Sequence, residues 1–335
     1  MGGGLPKGIS IKRQFSHSFD DIISVENLLL AWQEFICGKR MKQDVQEFAL
    51  HLMDNILALY ADLAQLNYAH GVYQHFRIAD PKPRDIHKAS VRDRLLHHAL
   101  YRQLYPFFDC LFIADSFSCR TGKGTHKALE RFKYFSNSVS KNTTKTVWVL
   151  KGDIKKFFAH INHSILISLL NERIQDKGII WLLKNIISSF STQSGMGLPL
   201  GNLTSQLLVN IYMNEFDQFV KHVLKEKHYI RYADDFVFLS RNKNHLHNLI
   251  PQIQEFLSKR LALELHPQKI FIKTIASGVD FLGWVHFPDH RILRTTTKRR
   301  ILRRVNPTNL PSYLGTIGYG NSYGVQRQIM SKLNG

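Results

Sequence analysis

Two adjacent aspartates, Asp234 and Asp235, interrupt the otherwise apolar, strand-like run HYIRYADDFVFLS at 228–240. Desolvating an unpaired carboxylate is costly, and two neighbouring ones also repel. The flanking halves, HYIRY and FVFLS, predict a β-hairpin with the aspartates at its tip, where a short polar side chain can bond the local backbone. A solvated turn would account for the pair by itself. A third carboxylate, Asp153, closes the apolar run TVWVLKGD and precedes IKKFF. Carboxylates on neighbouring strand ends could hold two Mg²⁺ ions about 4 Å apart, an arrangement that serves phosphoryl transfer. Magnesium takes hard oxygen ligands and keeps positions open to water and phosphate. On this reading bound cations, not the protein, relieve the repulsion.

The elements around these residues follow from hydrophobic spacing. Residues 19–36 read as a helix opened by acidic side chains. Residues 44–66 read as a second, with Val45, Phe48, Leu52, Ile56, Leu59 and Leu63 on one face and Asp44 as its cap. HFRIA (75–79) is strand-like, and Pro81 and Pro83 then break regular structure. A helix is expected over about 91–108 and a strong β run over 146–154. Helical patterns follow at 161–190, 203–224 and about 245–263, with short strands near 270–287 and a basic segment from about 290. The order predicts an α+β fold.

Composition narrows the partners. Lys and Arg total 45 against 26 acidic residues, a formal charge of +19, which suits a polyanion such as nucleic acid. No apolar stretch of about 20 residues occurs, so no membrane span is expected. Three scattered cysteines without CxxC or HExxH spacing argue against a zinc site or a disulfide framework and fit a reducing compartment, taken as cytoplasmic.

The motifs also resemble a known family. YADD preceded by DIKKFF resembles the palm of reverse transcriptases. PRDIHKASVRDRLLHHAL (83–100) resembles the fingers segment of bacterial and group II intron reverse transcriptases, and DSFSCRTGKGTHKAL (115–129) resembles their next block. GMGLPLGNLTSQLLVNIYMNEFD (195–217), LELHPQKIFI (263–272) and GVDFLGW (278–284) continue in the family's order. Where intron and retroviral enzymes carry Gln-Gly followed by Ser-Pro, this chain has Leu200-Gly201 and Ser205-Gln206. That pattern is similar to reverse transcriptases of diversity-generating retroelements of bacteria and phages.

The resemblance implies a right-hand polymerase fold. Residues 1–145 would be an N-terminal helical region with fingers, 146–289 a palm with a finger insertion at about 160–205, and 290–335 a short helical thumb. It implies an RNA-directed DNA polymerase, error-prone at template adenines, that diversifies a target gene. Retron-type or intron-type reverse transcriptases, and a noncatalytic RNA-binding subunit, are the alternatives. Asp153, Asp234 and Asp235 would be the catalytic carboxylates and, with the Ile154 carbonyl, the ligands of two Mg²⁺ ions. Lys82, Arg84, Lys156, Phe157, Phe158, Leu200 and Gly201 would bind the nucleotide, with Phe158 excluding a ribose 2′-OH. Asn202, Ser205, Gln206, Phe281, Leu282 and Gly283 would meet template and primer. Arg77 and Lys88 could face the template backbone, and Lys269 could protonate pyrophosphate. The implied partners are template RNA, the RNA/cDNA duplex, dNTPs and an oligomeric, basic helical accessory protein, the accessory variability determinant.

Overall fold

The computed structural model describes residues 13–79 and 83–334, arranged as two compact units. The first comprises the chain up to His75 together with 87–110 and 162–208; the second comprises 76–86, 111–161 and the chain from Val209 onward.

The first unit is helical. The expected helix over 19–36 is two helices, Phe19–Ile23 and Val25–Phe35, because Ser24 leaves helical geometry and caps the second through Asn27 N–H. The expected helix over 44–66 is likewise divided at His51, into Gln43–Leu50 and Leu52–Ala64. Asp44 is not its cap. Lys42 holds that position without a side-chain bond, and the Asp44 carboxylate instead pairs with Lys88 and Arg94. Val91–Asp109 starts at Ser90, whose hydroxyl accepts from Asp93 N–H, and packs along Val25–Phe35. Ile22, Leu28, Leu59, Leu63, Leu95 and Leu96 are fully buried here.

Strands β1 (Gln74–Ile78) and β2 (Arg84–Lys88) form a two-stranded sheet. The second unit is built on a four-stranded antiparallel sheet of β3 (Trp148–Asp153), β4 (Tyr229–Tyr232), β5 (Asp235–Ser240) and β6 (Phe271–Thr274), in the order β4-β5-β3-β6. Helix Thr125–Ser140, absent from the sequence expectation, buries Ala128, Phe132 and Phe135 in one core with Val149, Ile230, Val237 and Phe281. A three-stranded sheet follows: β7 (Val279–Phe281), β8 (Trp284–His286) and β9 (Arg291–Leu293). Phe281 pairs with Trp284, so Leu282 and Gly283 form a two-residue turn, both with positive φ (51° and 86°). That is the backbone of a type I′ hairpin. Trp284 opens a second core with Leu293, Ile301, Ile317 and Ile329 of the C-terminal helices Thr295–Arg304, Leu310–Ile317 and Tyr323–Asn334. Among the described residues no helix is long and apolar enough to cross a membrane.

Candidate active site

The hairpin expected around the aspartates is formed by β4 and β5, with Tyr232 paired to Asp235 and Ala233-Asp234 as its two-residue tip. β3 lies against β5 in a register that sets Asp153 opposite Asp235. One interstrand pairing therefore carries a carboxylate from each chain segment to one end of the sheet. Gly152 permits it: a Cβ there would lie 2.3 Å from the Phe236 ring.

The carboxylates are electrostatically strained. Burial raises the Asp234 pKa to about 6, with Asp153 and then Asp235 adding to the rise. Asp235 is also raised, first by burial, while Lys151 opposes the shift. Its Oδ1 is buried with no hydrogen-bond partner among the described residues. Lys151 Nζ stands 3.3 Å from that atom and donates to the Asp280 carbonyl. Lys269 Nζ donates to Asp153 Oδ1 at 2.8 Å. The expectation that bound cations alone relieve the repulsion is therefore corrected, since two lysines of the protein offset part of it. Lys151 shares a strand face with Asp153 by the period of two, a signal in the sequence that motif reading passed over.

Hard carboxylate oxygens, one of them without a hydrogen bond, and neighbouring carboxylates whose repulsion helps to raise Asp234 suit a hard divalent cation, which would relieve that repulsion. Among the described residues, however, no three carboxylate, imidazole or thiolate groups already form a coordination shell.

Beneath the tip lies a network that the sequence did not reveal. Arg231 is fully buried and grips Asp217 through two nitrogens, Nε at 2.8 Å and Nη2 at 2.7 Å. Its Nη1 donates to the Ala233 carbonyl at 3.1 Å and to Asn210 Oδ1 at 3.2 Å. Tyr229 donates to Asp217 as well. Ala233 has φ +55°, left-handed backbone that is uncommon for a residue with a Cβ. The guanidinium thus holds the strained peptide immediately before Asp234.

The other expected residues fall as follows. Ile154 is buried, bridged to Leu265. Lys156 (φ +46°) is exposed and precedes the one-turn 3₁₀ helix Phe157–His160, in which Phe157 is core and Phe158 is half-buried. Arg84 is exposed at the start of β2, whereas Lys82 lies outside the described residues. Arg77 is exposed on β1. Lys88 is half-buried and held at 2.6 Å by Asp44, a carboxylate that it shares with Arg94.

In the first unit, the Leu200 carbonyl accepts from His87 N–H at 3.1 Å, and Asn202 Nδ2 donates to the His87 carbonyl at 3.1 Å. Gly201, at φ +106°, supplies the bend between them. The Asn202 amide thus secures the loop to β2. Ser205 is buried and Gln206 half-buried on helix Leu203–Gln218. Phe281 is fully buried, and Leu282 and Gly283 form the turn described above.

Residues 79–286 match the family model described as reverse transcriptase (RNA-dependent DNA polymerase). The chain is 25% identical over 255 residues to Protein YkfC of Escherichia coli, covering 65% of each. It is 24% identical over 287 residues to the group II intron-encoded protein LtrA of Lactococcus lactis, covering 65% of this chain and 46% of that one. It therefore spans less than two thirds of either relative. The solved structure of apo telomerase from Candida tropicalis, truncated from its C-terminal domain, aligns with a TM-score of 0.50 at 13% identity, over 73% of this chain and 60% of that one. The α+β fold with small antiparallel sheets resembles that structure.

Proposed function

The chain belongs to the reverse transcriptase family, and from that premise we propose that it is an RNA-directed DNA polymerase of the group II intron-related branch. The observation that carries the reading is the β3–β5 register, which sets Asp153 opposite Asp235 beside the Asp234 tip. Family membership implies a divalent-cation-dependent mechanism. Asp153, Asp234 and Asp235, with the Ile154 carbonyl, would hold two Mg²⁺ ions, which when bound supply charge neutralisation and activation of the primer 3′-hydroxyl.

The protein's own groups do the rest. Asp234 gives up its proton as the site fills. Lys269, free to leave Asp153 once that carboxylate is engaged, can supply a proton to departing pyrophosphate. Arg84 offers charge to the triphosphate, and the backbone amides of Lys156 and Phe157 approach it. The half-buried Phe158 ring, five residues beyond Asp153, closes the space that a 2′-OH would need. Leu200 and Gly201 would border the nascent pair, with Asn202, Ser205 and Gln206 toward the template and Phe281, Leu282 and Gly283 toward the primer. In this reading 1–145 supplies the N-terminal helices and fingers, 146–289 the palm and 290–335 the thumb.

The test is primer extension with dNTPs and Mg²⁺ on a primed RNA template. Extension by the wild type and none by a folded Asp153→Asn variant is expected. No extension by the wild type would favour a noncatalytic RNA-binding subunit.

A second reading rests on Leu200 and Gln206, which depart from the intron pattern toward that of diversity-generating retroelements. It adds mutagenic copying of adenines and a basic accessory protein, whereas the intron-encoded relatives favour the first reading. Sequencing cDNA made by wild type and Leu200→Gln separates the two. An adenine-specific excess of errors that falls in the variant supports the second, and uniform errors in both support the first.

A further inference from the structure

The face of β3 that carries Asp153 also holds a buried charge that the proposed chemistry leaves unused. By the strand period of two, Val149, Lys151 and Asp153 share one face. Their partners on β5 are Leu239, Val237 and Asp235. Lys151 thus stands between an apolar half, where Val149, Val237 and Leu239 are core, and the two carboxylates. It is 8% exposed. Burying an ammonium is costly unless it is paired and hydrogen-bonded, so packing alone favours an apolar residue at this position.

Two acceptors engage that ammonium. Nζ lies 3.3 Å from Asp235 Oδ1 and donates to the Asp280 carbonyl at 3.2 Å. Asp280 is in β7, outside the sheet that holds the carboxylates, and 129 positions along the chain from Lys151. The Asp280 carboxylate accepts from Arg294 Nη2, and Arg294 N–H donates to the Gly283 carbonyl at 3.1 Å. One series of polar contacts therefore runs from Asp235 through Lys151 to Asp280, and on through Arg294 to the far side of the Leu282-Gly283 turn. All of these residues belong to the second unit. Val279 and Phe281 share a core with Val149 and Val237, but apolar burial is non-directional. A hydrogen bond to the peptide just ahead of the turn fixes its orientation.

We infer that Lys151 is a positioning residue: it ties Asp235 to the turn at 282–283 and, on the polymerase reading, sets where the primer end meets the carboxylates. A misplacement of about 1 Å between reacting groups costs on the order of 10²-fold in rate. Loss of the tie therefore slows extension while leaving the grip on the duplex in place.

Lys151→Met fills similar space without the charge. Amide hydrogen exchange at 279–286 is followed on the chain alone, without Mg²⁺ or nucleic acid. Exchange there is expected to quicken at least about fivefold while helix Lys243–Leu261 keeps its wild-type rates. In primer extension at saturating Mg²⁺ and dNTP, kcat is expected to fall at least about tenfold, with duplex affinity within about threefold of wild type. If Lys151→Met fails to fold, Lys151→Gln, a shorter side chain that keeps a polar end, carries both measurements. Wild-type exchange at 279–286 in the folded variant overturns the tie, whether or not the wild type extends a primer. Quickened exchange with an unchanged kcat overturns the placement of the primer end, and a lower Mg²⁺ requirement as the sole change would reduce Lys151 to a charge that screens the carboxylates. Quickened exchange in a protein whose wild type extends no primer upholds the tie and removes the polymerase reading instead.

Discussion

At neutral pH the folded chain must keep Asp234 ionised although its pKa lies near 6, above the ordinary value of 3.8. The folded state holds the proton more tightly than the unfolded state. Stability is therefore greatest below about pH 4 as far as this group is concerned, and it declines as pH rises toward 6 and beyond. Asp234→Asn should abolish extension yet raise unfolding free energy at pH 7–8, by about 1–3 kcal/mol at the conversion of 1.4 kcal/mol per unit. Its stability should also be flatter between pH 4 and 7 than that of the wild type. Urea melts across that range are the check, and a destabilised, inactive variant would contradict the electrostatic account. Mg²⁺ should raise the wild-type melting temperature without nucleic acid and do so less in Asp153→Asn, because a ligand of the folded state stabilises it. Phe158→Ala should increase rNTP incorporation relative to dNTP. An unchanged ratio would assign that ring to packing.

The hairpin is the element that gives these residues their geometry, and its strain needs a counterweight. Arg231→Met leaves the buried Asp217 charge with only the Tyr229 hydroxyl as its donor, which should cost about 3–5 kcal/mol. The double variant Arg231→Met, Asp217→Leu removes both charges and should regain most of that stability. Because the Ala233 carbonyl still loses its donor, extension should stay impaired. Full recovery of both stability and activity would reduce the network to a packing device. The hairpin and Asp153 were legible in the sequence because local alternation and a turn carry their own signal. Arg231 was not, because its worth depends on Asp217, Asn210 and Ser116, which reach it only through tertiary folding. The same limit explains the divided helices: Ser24 and His51 sit inside unbroken apolar periodicity, and only capping and backbone geometry end the turn. Helix Thr125–Ser140 begins after glycines and a run of polar residues, and its buried face becomes evident only against the sheet.

Across the whole chain, the charge of +19 should dominate nucleic-acid affinity. If it neutralises about 6–10 phosphates, binding should weaken by roughly 10³–10⁵ between 50 and 200 mM salt. Arg299 and Arg303 are exposed one turn apart on helix Thr295–Arg304, whose Ile301 is in the core. Arg299→Gln with Arg303→Gln should therefore leave the fold intact. The double variant should reduce the log–log salt slope by about 0.9 for each phosphate no longer neutralised, with little change in template preference. An unaltered slope would remove this helix from the interface.

The order β4-β5-β3-β6 has a consequence for how the molecule is made. β3 is central, and Val149 and Leu150 on it are fully covered, yet both its neighbours lie far downstream in the chain. At translation rates of about 5–20 residues per second, β3 waits on the order of ten seconds for β5 to emerge. During that interval it is an apolar strand with two open edges, a segment suited to chaperone capture and prone to pairing with other nascent chains. Polysome-bound chains halted between 160 and 225 should bind holdases that chains halted beyond 290 release. The carboxylates would thus be assembled only after most of the polypeptide has left the ribosome.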